Sequence, residues 1–456
     1  MGNINLQNVI TKEDVRIRLL ETSMNYKMRS SYLNVCFKKC CIYKVHEFIL
    51  KGHESFYQPS MMSIGPVYYK DTKLESMQEL KWIFLDCFLQ HPDNACRSLN
   101  TYIDYVRTRG REIRSSYQHQ SRLSSDEFVE MIVLDAAFMI YLFFMSINRP
   151  SFKLPFMGNN LAAQLNYSIM DLFRLENQIP YFVLKGIYDI AFGNVYQPNT
   201  LIIAILSLIS KIGVGIPGNT YGYQEYYCWM SCCLTSSTPL HNQPNTNNRR
   251  STDPSSVFCQ HQQRHIKIES DDDSIGRLWY TAKQLIDAGV TFVEGESNNP
   301  LEVTFTKGKL TISKLKILDS TETNLRNLVY FEQCHYDVDT YIIDYIIFLD
   351  ELIDTVEDVQ VLVRSNILSN RLGSDDDVVK LFNNIGKNVL FDSSRYRNYS
   401  DVCRDVNRYA SSRQNKYMAI LRSKYFNHPW ATLSVIAAFF LFVLTLLQTT
   451  AAYIYK

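Results

Sequence analysis

From Trp430 to Tyr453 the chain reads WATLSVIAAFFLFVLTLLQTTAAY, without one charged residue. At about 1.5 Å per residue, a helix of this length crosses a bilayer hydrocarbon core of roughly 30 Å. A helix that is apolar all round has no face to turn to water, so it must lie in protein or in lipid. The flanks favour lipid. Trp430 and Tyr425 stand at one end and Tyr453 and Tyr455 at the other, where amphipathic rings suit the membrane interface. Trp430, Leu433, Phe439, Phe440, Leu444 and Leu447 are therefore expected to span the membrane. Arg422 and Lys424 precede the span and only Lys456 follows it, which by the positive-inside rule places the main domain in the cytosol. Two other apolar runs fall short: Met131 to Met145 contains Asp135, and Leu201 to Ile209 ends before Lys211. The expectation is a single-pass protein of the plasma membrane or an endomembrane.

Other features agree with a cytosolic main domain. The start, MGNINLQNVITKEDVRIRLL, has no apolar signal core, and its myristoylation-like Gly2 is followed by Leu6 where Ser or Thr is required. Eleven cysteines in 456 residues form an odd, unpatterned set, which fits free thiols better than a secreted disulfide framework. The sequons at Asn166 and Asn398 precede the span and would then stay unglycosylated.

Residues 1–38 read as a polar N-terminal extension, 39–424 as a helical domain, and 425–456 as the transmembrane anchor with a short tail. A flexible insertion is expected at 235–274, where Ser, Asn, Gln and His dominate. VTFV at Val290, LEVTF at Leu301 and KLTISKLKI at Lys309 alternate in polarity between turn signals and read as a small antiparallel sheet at 290–317. The fold class is thus mainly α-helical (α+β). Between Tyr341 and Gln360, Ile342, Ile346, Leu349, Ile353 and Val356 make one apolar stripe, with Asp350, Asp354, Glu357 and Asp358 on the opposite, solvated face.

The chemical motifs are weak. GVGIPG at Gly213 matches a dinucleotide fingerprint in letters, but Pro217 interrupts it and no acid follows at the required distance. Cys228, Cys232, Cys233, Cys259, His261 and His265 lack the spacing of a structural zinc site. Cys334 and His335 are neighbours in sequence, which do not face one another on a helix. With 47 Lys and Arg against 46 Asp and Glu, nothing draws the chain to nucleic acid, and RTRGREIR at Arg107 reads as a solvated face. No cofactor, metal, nucleic acid or small-molecule substrate is expected; the partners are a membrane and another protein.

Two carboxylates stand out. Ser124 and Glu127 have capping-box spacing, and the helix they start has an apolar stripe of Phe128, Met131, Ile132, Met139 and Leu142 on which Asp135 falls. Glu176 sits in the equally apolar DLFRLENQIPYFVL. The pair could act as a catalytic acid and base, or each could be satisfied by backbone amides or an Arg such as Arg174 and fix how helices meet.

In order along the chain, CCIYKV, SIGP, LSSDEFVEMIVLD, DLFRLENQIPYFVL, DSTETNLRNLVYFEQCH, LGSDDDVVKLFNNI and HPWATLSVIAAFFLFVLTLLQT resemble the plant family catalogued as domain of unknown function 247, from Cys40 to about Gln448. The chain departs from that family at VHEF, where a Pro commonly follows the Val, and at GPVYY, where a His is common. The resemblance implies a mostly helical plant protein with one C-terminal transmembrane helix and no established catalytic activity. Some grass members are associated with self-incompatibility loci on the pollen side. It also implies that LENQIP is a signature, with Glu176, Asn177 and Gln178 bracing a break in the helical run at Pro180. The leading expectation is a non-enzymatic, membrane-anchored interaction protein; the alternative is an enzyme using Asp135 and Glu176.

Overall fold

The computed structural model describes residues 20–24, 40–147, 151–152, 159–197, 199–212, 276–296, 301–334, 340–386, 398–412 and 429–454. The 235–274 insertion, GVGIPG, the Cys228 to His265 set, Arg422, Lys424 and almost all of the N-terminal extension lie outside these residues. The first half is built on helices α1 (Gln78–Gln90), α2 (Leu99–Thr108), α3 (Ser125–Ser146), α4 (Asn159–Asp171), α5 (Tyr181–Phe192) and α6 (Thr200–Ile212). The second half adds α7 (Thr321–Cys334), α8 (Tyr341–Leu352), α9 (Val356–Arg364), α10 (Asp375–Gly386) and α11 (Ser400–Ser411), and α12 (Pro429–Ile454) follows.

Helix α3 is the hub of the first half. It starts where Ser124 and Glu127 close a reciprocal capping box, which satisfies two amides that a helix start would otherwise leave bare. From Phe128 to Phe144 every side chain except Glu130 is buried, because α1, α2, α5 and α6 all pack around it. Phe84 of α1 meets Phe138 at 4.7 Å and Tyr141 at 5.6 Å between ring centroids. Burial of each such side chain is worth about 1.5–3 kcal/mol, so this surround holds α3 far more firmly than intrinsic helix propensity does. α3 is long and apolar enough to cross a membrane, yet it lies in the protein core.

The segments around Val290, Leu301 and Lys309 do form strands: β1 (Thr291–Gly295), β2 (Val303–Thr306) and β3 (Lys309–Ser313). The sheet they make is mixed rather than antiparallel. β2 and β3 are an antiparallel hairpin around Lys307 and Gly308, whose φ values of 50° and 78° suit a tight two-residue turn. β1 lies on the far side of β3 and runs parallel to it. β2 follows β1 in sequence, yet β3 lies between them in the sheet. The end of KLTISKLKI peels off as β4 (Leu315–Ile317) and pairs in parallel with β5 (Leu368–Asn370), a strand outside the sheet expected at 290–317.

The stripe between Tyr341 and Gln360 is also corrected. It is broken between α8 and α9 at Ile353 to Thr355, where Thr355 and Asp358 form another capping box. Asp358 is consequently buried, not solvated. It accepts from the amides of Lys283 at 2.7 Å and Thr355 at 2.9 Å and from the Thr355 hydroxyl at 2.8 Å. Burial pushes its carboxyl up, but these donors outweigh burial and hold it below the usual range.

Candidate functional site

The polar residues of the DLFRLENQIP turn face the SIGP loop, and together they form a buried bracket between the N-terminal segment, α1 and α3. The backbone from Ser60 to Gly65 belongs to no helix or strand, so its amides need other acceptors. Side chains supply them. Asp171, at the end of α4, takes the amides of Ser60 at 3.0 Å, Met61 at 2.7 Å and Met62 at 2.9 Å. Asn177 accepts from Ile64 N at 2.6 Å and donates to the carbonyls of Met62 and Asp171, both at 3.0 Å. Asp135 takes the Gly65 amide at 2.8 Å.

Gly65 has φ +72°, and a Cβ there would stand 2.5 Å from the Gln178 carbonyl oxygen, so only glycine fits. Tyr117 donates its hydroxyl to that same carbonyl at 3.0 Å. Gln178 donates to the carbonyls of Leu172 and Arg174, closing the turn on itself. Pro180 then caps α5, where its lack of an amide hydrogen costs nothing.

The two carboxylates singled out in the sequence have separate partners. The Asp135 carboxylate meets the Lys81 ammonium at 2.5 Å, and both side chains are essentially unexposed. Lys81 also donates to the Ser63 carbonyl, so α1, α3 and the SIGP loop converge on one ion pair. Burial pushes the Asp135 carboxyl up, opposed by Lys81 and the Gly65 amide. Glu176 accepts from Val45 N at 2.5 Å and from the Tyr68 hydroxyl. Its carboxyl too is raised by burial, with Tyr68 and Val45 acting against the rise. Arg174 pairs with neither acid; it lies 4.0 Å from Asp171 and donates to the Phe56 carbonyl.

Every oxygen of Asp135 and Glu176 thus accepts a hydrogen bond inside the fold. Acid–base catalysis needs a carboxyl within reach of a substrate proton, and these two reach only the protein's own amides, ammonium and phenol. The basic stretch at Arg107 is likewise engaged: Arg107 with Asp126 at 3.2 Å, Arg109 with Glu112 at 3.4 Å, and Arg114 over the Phe128 ring at 3.9 Å. Cys334 is half-buried and its thiol is pushed up to about 11 by burial. Among the described residues no group of His, Cys, Asp and Glu could hold a metal ion.

The sequence reading missed Lys81 and Asp171. Lys81 carried a usable signal, since it falls on the apolar stripe of Met77, Phe84 and Phe88 just as Asp135 falls on its own.

A model of the plant family described as a plant protein of unknown function, DUF247, matches residues 42–444. The chain belongs to this family. Among known proteins it is 28% identical over 427 residues to UPF0481 protein At3g47200 of Arabidopsis thaliana, covering 91% of this chain and 86% of that one. A second Arabidopsis thaliana protein of the UPF0481 designation, At3g02645, is 20% identical over 480 residues, with 89% of each chain covered. No solved structure matches the chain. The bracket lies inside the matched span, and neither the family description nor the relatives' names state a catalytic activity.

Proposed function

We propose that this family member is a non-enzymatic, membrane-anchored module whose helical domain binds another protein. The observation that carries the reading is α12. Leu433, Phe439, Phe440, Leu444 and Leu447 on this 26-residue helix are each more than half exposed. At about 1.5–3 kcal/mol per side chain, leaving these five in water costs roughly 10 kcal/mol, and a bilayer removes that cost. α3, equally apolar, already has its cover in the core. The full engagement of Asp135 and Glu176 supports an interaction role over the acid–base alternative.

The domain faces the cytosol in this reading, with Arg422 and Lys424 on the near side of the span. The membrane is the plasma membrane or an endomembrane, and recognition between cells, including pollen self-incompatibility, is the setting that the family resemblance implies. The test is fractionation. Full-length protein should stay with membranes after a carbonate wash and a chain ending at Ser423 should be released; equal behaviour of the two refutes the anchor. On sealed vesicles the domain should be digested by protease without detergent, whereas protection would place it on the other side.

A further inference from the structure

Beside the Lys81–Asp135 pair the surface carries a groove of about 280 Å³. One wall is Glu75, Gln78 and Trp82, which share a face at spacings of three and four; the other is Glu130 and Leu134, one turn apart on α3. Tyr69, Lys70, Asp71 and Thr72 complete the lining. The groove is tied to the bracket beneath it, because Gln78 donates to the Ser63 hydroxyl at 2.7 Å. Its lining holds three carboxylates, Asp71, Glu75 and Glu130, against one ammonium, Lys70. Lys70 is already engaged by Glu127 at 2.6 Å, outside the lining. Glu75 and Glu130 have no ion-pair partner among the described residues. Trp82, in the same lining, is 47% exposed although the next residue back is wholly buried.

We propose that this groove receives an arginine side chain presented by a partner protein. Three features select that chemistry. The concave wall gives a side chain a place to enter; the carboxylates of Glu75 and Glu130 match a cation and repel phosphate or carboxylate ligands; and the flat indole suits stacking by a planar guanidinium. The Tyr69 phenol, raised by burial and then by the charges of Glu130, Asp135 and Glu127, reports the same negative field. The inference rests on the protein-binding reading and names the surface that does the binding.

The test is titration of the full-length chain, in neutral detergent micelles, with a labelled Arg-Gly-Arg-Gly-Arg peptide, followed by anisotropy. The arginine peptide should bind and its affinity should fall with salt. The same peptide with citrulline or glutamate for arginine should not bind. Glu75→Gln with Glu130→Gln should weaken binding about tenfold and Trp82→Ala about fivefold, with the circular dichroism and melting of the exposed-carboxylate variant unchanged. No binding by the wild type, equal binding by the double variant, or equal binding of the glutamate peptide each overturns the proposal. Peptide binding by a chain that washes off membranes would refute the anchor and leave the groove standing. Membrane retention with no arginine preference would do the reverse.

Discussion

Removing one member of the Lys81–Asp135 pair should harm the protein more than removing both charges. Lys81→Met leaves a carboxylate at 0% exposure with no counter-ion, a cost of about 3–5 kcal/mol. Asp135→Asn strands the ammonium at the same depth and costs a similar amount, although its amide oxygen can still accept from Gly65. The double variant has no buried charge and keeps the Gly65 bond. What it loses is the donor to the Ser63 carbonyl, worth about 1–3 kcal/mol. Its urea midpoint, read by near-ultraviolet circular dichroism on the full chain in micelles, should therefore lie above that of either single variant at unchanged slope. A pH series adds a second check. Asp135 in Lys81→Met can discard its penalty by taking a proton, so that variant should recover towards wild type as pH falls, whereas the double variant should not. Additive costs, with the double variant lowest of the three, would refute the argument that these two charges are built around each other.

Three further outcomes are expected. Gly65→Ala should destabilise by about 2–4 kcal/mol in the same assay, since it combines a left-handed backbone with a Cβ driven onto the Gln178 carbonyl; a neutral effect would mean that the SIGP loop does not abut the LENQIP turn. Glu176→Ala should cost about 2–4 kcal/mol by orphaning Val45 N and the Tyr68 hydroxyl, while Glu176→Gln, which still accepts from Val45 and can donate to Tyr68, should cost under half as much; equal costs would show that charge rather than bonding matters there. Asp358 has a depressed carboxyl pKa in the fold, so its contribution is present above the unfolded value of about 3.9 and is lost as pH falls through the folded one. The stability gap between wild type and Asp358→Asn should accordingly be widest near neutral pH and close in strong acid, and a gap that grows with acid would contradict the bonding described.

What could be read from the sequence alone was whatever depends on residues close together in the chain. The start of α3 is one case: Ser124 and Glu127 lie within a single turn, and a capping box needs nothing from elsewhere. The three segments of the small sheet are another, because polarity that alternates every second residue marks a strand whatever its partner. The uncharged run at Trp430 forms a helix for the same local reason. Burial of Asp135 was legible too, from its place on an apolar stripe. Its partner was not, because Lys81 is 54 positions away and only the packing of α1 on α3 brings them together. Strand direction escaped for a related reason: alternation says which residues face the core but not which strand is the neighbour, and the pairing of β1 with β3 rather than β2 is a property of the assembled sheet. The capping box that breaks the stripe at Thr355 is as local as that of α3, but the burial of Asp358 involves the Lys283 amide 75 positions away, which turns an apparent solvated face into a buried cap. Local hydrogen bonds and hydrophobic period are properties of a short stretch of chain, whereas the pairing of buried charges and the order of strands belong to the closed fold, where desolvation makes each unpaired group too costly to leave alone.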